Sequence, residues 1–123
     1  TLAGHVNVGD WVICGGFSGA HQFCKIGAHA FLGMYTGVNL DVPAYTMVSG
    51  QPATARGINS DGLKRSDFSK EQILNINNAY RITFRSGKNK AEAIDEIAEL
   101  AKTQPELDLF LESLRSSERG LAR

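Results

Sequence analysis

The chain has 123 residues, with thirteen Lys/Arg against thirteen Asp/Glu, a formal net charge of zero and a pI near 6.8; this balance argues against a general nucleic-acid partner, and the length allows one ordinary domain or two small ones. No apolar run is long enough to span a bilayer, and no signal-peptide pattern is present. Two cysteines, Cys14 and Cys24, are too few for a disulfide framework and read as reduced thiols of a cytosolic protein, while a patterned segment that starts at Thr1 reads as a fragment or a processed chain.

Residues 1–60 hold only Asp10, Lys25, Asp41 and Arg56 as charged residues but ten of the thirteen glycines; residues 61–123 hold the other twenty-two charges and three glycines. Two structural regimes follow from that shift.

The first regime is a six-residue repeat. Cut from Leu2, it reads LAGHVN, VGDWVI, CGGFSG, AHQFCK, IGAHAF, LGMYTG, VNLDVP, AYTMVS. First positions (Leu2, Val8, Cys14, Ala20, Ile26, Leu32, Val38, Ala44) are apolar. Fifth positions (Val6, Val12, Ser18, Cys24, Ala30, Thr36, Val42, Val48) are small or β-branched. Second positions favour Gly or Asn, as at Gly9, Gly15, Gly27, Gly33 and Asn39. A short strand points alternate side chains inward, and a following turn uses Gly or Asn for left-handed backbone angles. Three hexads then close a triangular coil, and coils stack in parallel. The pattern resembles the left-handed parallel β-helix of hexapeptide-repeat acyltransferases.

This frame predicts the place of each unusual side chain. Cys14 and Cys24 fall in inward slots, as inert core thiols. His29 shares the fourth slot with Trp11, Phe17, Phe23 and Tyr35, outside the interior, and is expected at the surface or a subunit interface. His21 takes a second slot where Gly would serve and is followed by Gln22; it is either a site residue or a structurally satisfied histidine. His5 lies one coil away on the same face, as an exposed turn residue. His21 and Cys24 do not make a zinc site, and no metal is expected.

The predicted domains are 1–52, the final coils of the β-helix; 53–68, a loop-rich connection containing Gly57 and Gly62; and 69–123, an α-helical domain. Ser69 with Gln72 forms a capping box that starts a helix with the face Ile73, Ile76, Tyr80 and Phe84, stopped by Gly87. A second helix spans roughly 89–102, with Ala93, Ile94, Ile97, Leu100 and Ala101 apolar. Thr103, with Glu106, caps a third whose face is Leu107, Phe110, Leu111 and Leu114 and which Gly120 ends. Lys64, Arg65, Lys70, Arg81, Arg85, Lys88 and Lys90 form either a solvated helical face or a landing surface for an acidic partner or phosphate.

Six segments in order narrow the repeat further: LAGHV (2–6), HQFCKIGAHA (21–30), DVPAY (41–45), GINSDGLKRSDFS (57–69), NAYRITFRSGK (78–88) and RGLAR (119–123). Together they closely resemble the C-terminal half of the acyl-[acyl-carrier-protein]–UDP-N-acetylglucosamine O-acyltransferase family. The resemblance implies transfer of an (R)-3-hydroxyacyl group from acyl carrier protein to the 3-hydroxyl of UDP-N-acetylglucosamine, the first step of lipid A biosynthesis. It also implies a cytoplasmic homotrimer of Gram-negative type, with sites between neighbouring β-helices and no cofactor.

By the same resemblance, Gly4 corresponds to the glycine whose backbone N–H stabilises the thioester oxyanion. His5, His21 and Gln22 correspond to sugar and diphosphate contacts. Asn59, Asp61 and Arg65 correspond to nucleotide contacts made to the neighbouring subunit, a role in which a guanidinium can donate two parallel hydrogen bonds to phosphate. Lys64, Arg81, Arg85 and Lys88 are candidate contacts for the carrier protein. The family's general-base histidine falls upstream of Thr1, so these 123 residues alone are expected to be inactive. Two departures stand out. Ser66 occupies a position where many relatives have a second arginine, and Asp61 one where glutamate is common.

Met34 corresponds to the residue that gauges acyl length: glycine there admits a longer chain, and methionine bars it. A buried methylene gains about 0.8 kcal/mol, whereas overpacking costs roughly 1–3 kcal/mol, so a ten- or twelve-carbon donor is expected over fourteen. Another hexapeptide acyltransferase would also show the repeat, but GLKR, NAY and RSGK argue against it. About two and a half coils without the base also fit a non-catalytic trimeric β-helix or binding module.

Overall fold

A computed structural model describes residues 1–123. The first half is a three-sided coil built from two-residue strands: β1 (Asn7–Val8), β2 (Ile13–Cys14), β3 (Gly19–Ala20), β4 (Lys25–Ile26), β5 (Phe31–Leu32) and β6 (Gly37–Val38). β1, β2 and β3 pair in parallel with β4, β5 and β6, one coil on: Asn7 with Lys25, Ile13 with Phe31, Gly19 with Gly37. The 18-residue offset is three hexads, and it stacks the first-position side chains into interior columns, with Ile26, Leu32 and Val38 fully buried or nearly so. Polar fifth-position residues are satisfied locally: Ser18 and Thr36 each donate to the carbonyl three residues back, at 2.7 and 2.6 Å.

The hexad count breaks once. Val42 pairs with Ile26, and β7 (Thr46–Ser49) pairs with β5 through Met47–Phe31 and Val48–Leu32. The last coil is therefore two residues short, and Val42 and Val48 occupy first positions, not the fifth positions of a strict six-residue count.

Turn chemistry also differs from expectation. The left-handed residues are the fourth-position His5, Trp11, Phe17, Phe23, His29, Tyr35 and Tyr45, with φ between 58° and 67°. The second-position glycines have ordinary φ and are small for another reason. A Cβ on Gly9 would lie 2.6 Å from Ala28 N, and one on Gly15 2.7 Å from Met34 N. The fourth-position aromatics stack corner on corner: His5 on Phe23 at 4.8 Å, Phe17 on Tyr35 at 5.2 Å, His29 on Tyr45 at 5.7 Å. Stacked rings support one another in a backbone conformation that non-glycine residues rarely adopt.

Each ladder ends in its own way. One is closed by β8 (Thr54–Ile58), antiparallel to β7. The second is closed by the 50–53 turn, where Gly37 donates to Gly50 O and Ala53 to Gly37 O. The chain's C-terminal tail closes the third, with Leu121 bridging Asp41 in parallel. The segment expected to be a loop thus contains β8 and the short helix α1 (Ser60–Arg65). Its sequence, TARGINSDGLKR, shows neither strand alternation nor a helical stripe, and pairing with β7 supplies the order.

Three further helices pack on the end of the coil: α2 (Lys70–Phe84), α3 (Lys90–Ala101) and α4 (Asp108–Ser116). Ser69 and Gln72 form the predicted capping box of α2, and Asn89 with Glu92 makes an equivalent one for α3. Thr103 and Glu106 do not cap α4. A 3₁₀ turn, Pro105–Leu107, leads into it; Thr103 Oγ1 donates to Leu100 O, and Glu106 accepts from Asn75. The helix ends at Ser116, before Gly120. Ile76, Ile82, Ile97, Leu107, Phe110 and Leu114 form its core, joined by Tyr45 from the coil, whose hydroxyl donates to Glu106 O at 2.8 Å.

Two sequence segments quoted above meet at the junction. Asp41, 3 % exposed, accepts from the Lys25 backbone N–H through Oδ1 at 2.8 Å and from the Ser117 hydroxyl through Oδ2 at 2.6 Å. Its own N–H donates to Gly120 O, and its carbonyl accepts from Ala122. DVPAY and RGLAR are the two halves of one lock.

Candidate functional site

Gly4, His5, His21 and Gln22 come together at one corner, on two successive coils, because the Leu2–Ala20 bridge sets residues 3–5 beside residues 21–23. A Cβ on Gly4 would touch Gln22 Nε2 at 3.6 Å, and Phe23 N–H donates to Gly4 O at 3.2 Å. The Gly4 N–H has no acceptor in this chain, and neither do those of Asp10, Gly16, Gln22, Ala28 and Met34 at the equivalent third positions, whereas Ala44 on the last coil donates to Ser113 Oγ at 3.0 Å. It is one of a series of free donors, and its particularity lies in standing beside Gln22 and His5. His5, His21 and Gln22 are all exposed, the His5 ring lying flat on Phe23.

From this corner the β3–β6 face runs to the Phe17–Tyr35 corner, and it floors a groove of about 550 Å³. His21 and Asn39 stand at one end and Phe17 at the other, with Gln51 and Pro52 along the wall. Met34, 65 % exposed, sits at the far corner beside Tyr35. Of the predicted acceptor corner only His21 lines the groove, and Met34, the predicted length gauge, stands outside its lining, two residues before Thr36, which does line it.

Asn59, Asp61 and Arg65 lie elsewhere. Asn59 and Arg65 line a notch of about 240 Å³ on the third corner, with Trp11, His29 and Ser66. Asp61 is exposed in the first turn of α1. None of these three residues shares a pocket with His21. Asn59 itself is 7 % exposed and already engaged: its Nδ2 donates to His29 O at 3.0 Å and its Oδ1 accepts from Gly62 N–H at 3.2 Å. It caps α1 first of all.

Two expectations are corrected here. His29 is buried, not a surface residue, because Tyr45 and Phe68 cover it. Burial pushes its pKa down, with Asp10 opposing. Cys14, expected in the core, is exposed: Leu32 lies beneath it and no residue of this chain covers its other side. Cys24 is buried as expected, and burial raises its thiol pKa, which suits an inert core residue.

A sequence model of the family described as UDP-N-acetylglucosamine O-acyltransferase, domain 2, matches residues 41–122. The chain belongs to this family. An acyl-[acyl-carrier-protein]–UDP-N-acetylglucosamine O-acyltransferase of Pseudomonas putida (strain W619) is 50% identical over 99% of this chain, which covers 47% of that protein. The LpxA structure from Acinetobacter baumannii superposes with a TM-score of 0.96 at 47% identity, over 99% of this chain and 48% of that one. The UDP-N-acetylglucosamine acyltransferase structure from Francisella novicida gives 0.95 at 40% identity, over 99% and 45%. The chain spans about half the length of the relatives it matches.

Within this family member the basic residues separate. Lys88 pairs with Glu96 at 3.1 Å, and Lys90 donates to Ser117 O at 2.6 Å, so both are tied into the helical packing. Arg81, in the last turn of α2, and Arg85, its C-cap, are exposed one turn apart, and Lys64 and Arg65 end α1. The residue that sequence reasoning undervalued is Asp41. Its signal was an acid, one of only two in a charge-poor half, placed where an apolar corner would serve.

Proposed function

We propose that this chain is the C-terminal part of an enzyme that transfers an (R)-3-hydroxyacyl group from acyl carrier protein to the 3-hydroxyl of UDP-N-acetylglucosamine, the first step of lipid A biosynthesis. The observation that carries the reading is the match to UDP-N-acetylglucosamine O-acyltransferases over almost the whole chain; the Gly4–His5–His21–Gln22 corner, whose His21 lines the groove along β3–β6, and the exposed Met34 agree with it. The Gly4 N–H then serves as oxyanion donor, where a fixed backbone dipole stabilises developing charge without reorganising. His5, His21 and Gln22 contact the sugar and diphosphate. Asp61 and Arg65 reach the nucleotide of a neighbouring copy, with Asn59 holding their helix in place.

The coil is left-handed in this reading and assembles as a homotrimer in the cytoplasm of a Gram-negative cell. Residues 1–52, 53–68 and 69–123 act as coil, nucleotide-contacting connection and carrier-facing helical domain. No histidine of the chain holds the general-base role, and the 123 residues alone give no turnover. The test presents full-length enzyme with (R)-3-hydroxydodecanoyl acyl carrier protein and UDP-N-acetylglucosamine. The expected product is the 3-O-ester with release of carrier thiol, and an equally good reaction with a coenzyme A thioester would overturn the assignment of donor.

A further inference from the structure

His29 sits where the coil meets the helices. Its imidazole lies between the rings of Trp11 (centroids 6.4 Å apart, planes 14° apart) and Tyr45 (5.7 Å, 19°), with Phe68 edge-on at 5.3 Å. Its carbonyl accepts from Asn59 Nδ2 at 3.0 Å, and Asn59 Oδ1 caps α1 through Gly62 N–H at 3.2 Å. One residue of the coil is therefore joined, by its ring to Phe68 and by its backbone to Asn59, to both ends of the segment that carries Arg65. A six-residue helix does not hold itself in water; α1 depends on these contacts and on the burial of Leu63.

We propose that His29 is a positioning residue: while its imidazole is neutral it holds α1, and with it Arg65, against the coil, and proton uptake releases them. The charged groups around it are Asp10 from its own corner, and Arg65 and Asp67 from α1 and the turn that follows. The Tyr45 phenol, pushed up to about 12, stays neutral throughout. Burial makes the folded imidazole a weaker base than an exposed one, with Asp10 opposing. When α1 opens, His29 returns to water and to an ordinary pKa of about 6.5. The opened form then binds the proton more tightly than the closed form. Opening therefore becomes more favourable as pH falls below about 6.5, by up to tenfold per pH unit until the folded imidazole itself titrates. Above that range the device is silent. For the enzyme, a consequence that rests on the proposed role of Arg65 as a diphosphate contact is a weaker grip on nucleotide in acid.

The 123-residue chain carries its own probe, since Trp11 is its only tryptophan and stacks on this imidazole. Amide exchange of residues 59–68, corrected for intrinsic rates, would be followed between about pH 7.5 and about pH 5 alongside Trp11 fluorescence. In the wild type, α1 protection should fall several-fold or more below pH 6.5, in step with a Trp11 transition, while α2 and α3 keep theirs. His29→Phe keeps the ring stack without the proton and should hold α1 protected at both values. A wild-type α1 insensitive to pH, a fall not matched by a Trp11 transition, or the same fall in His29→Phe would overturn the proposal; the first two hold even where the variant does not fold. None of these readouts involves nucleotide, so failure of the Arg65 assignment would appear separately, as unchanged binding of UDP to full-length Arg65→Ala enzyme.

Discussion

Replacing Asp41 tests what joins coil to helices. Its carboxylate is buried and has two donors, the Lys25 backbone N–H at 2.8 Å and the Ser117 hydroxyl at 2.6 Å, with Ser117 itself 8 % exposed. Hydrogen bonds to a charged group contribute about 1.5–3 kcal/mol each, and leaving a buried donor unpaired costs about 1–3 kcal/mol. Asp41→Ala strands both donors but leaves the backbone bonds to Gly120 and Ala122, so a loss of about 3–4 kcal/mol is expected. Asp41→Asn should cost far less, about 1 kcal/mol, because its carbonyl can accept from Lys25 while its amide donates to a rotated Ser117 hydroxyl. Urea unfolding followed by helix circular dichroism reads both, and Ser117→Ala alone and combined with Asp41→Ala completes a double-mutant cycle. Near-additive single losses, or an Asp41→Ala cost below about 0.5 kcal/mol, would refute the idea that this carboxylate locks the tail to the coil.

Three other outcomes follow from particular contacts. Gly27→Ala should destabilise by about 1–3 kcal/mol despite its ordinary backbone angles, because the new methyl meets Ala44 N and lies 2.7 Å from Ala44 Cα; thermal melts read this, and a neutral result would mean the coils can part there. The Tyr45 phenol is pushed up to about 12 by burial, with Glu106 and Asp108 adding to it. The unfolded phenol ionises first, so stability should be flat up to about pH 10 and fall between about 10 and 12. Tyr45→Phe should remove that part of the alkaline slope and cost about 1 kcal/mol at neutral pH, and an unchanged slope would exclude Tyr45 as its source. Reversing the charges of Arg81 and Arg85 in the full-length enzyme should raise KM for the carrier thioester at low salt and less at high salt; an unchanged KM returns them to an ordinary solvated face.

The coil was legible because a six-residue period leaves its mark on every turn, and the capping box at Ser69 because its chemistry is local. What was hidden depended on contacts across the chain. Val42 and Val48 satisfy either inward slot, so the two-residue shortening after Val38 left no trace in residue type. β8 forms by pairing with β7, and TARGI alone does not look like a strand. His29 is buried by Phe68 and Tyr45, which no spacing connects to it. The glycine rule was applied to the wrong physical need: the second-position glycines serve close approach between coils, and aromatic residues take the left-handed corner. The corner formed by Gly4, His5, His21 and Gln22 was recognisable because three-hexad register alone brings these residues together. The separation of Arg65 from that corner, and the structural duty of Asn59, became visible only with α1 in place.

The most direct measurement is the acyl-length profile of the full-length enzyme, using (R)-3-hydroxyacyl carrier-protein thioesters of ten to sixteen carbons with UDP-N-acetylglucosamine, for the wild type and for Met34→Gly. A preference for ten or twelve carbons that moves to longer chains in Met34→Gly is the result expected if Met34 gauges acyl length. Absence of turnover with every donor, or a wild-type preference for fourteen carbons that Met34→Gly leaves in place, would contradict it.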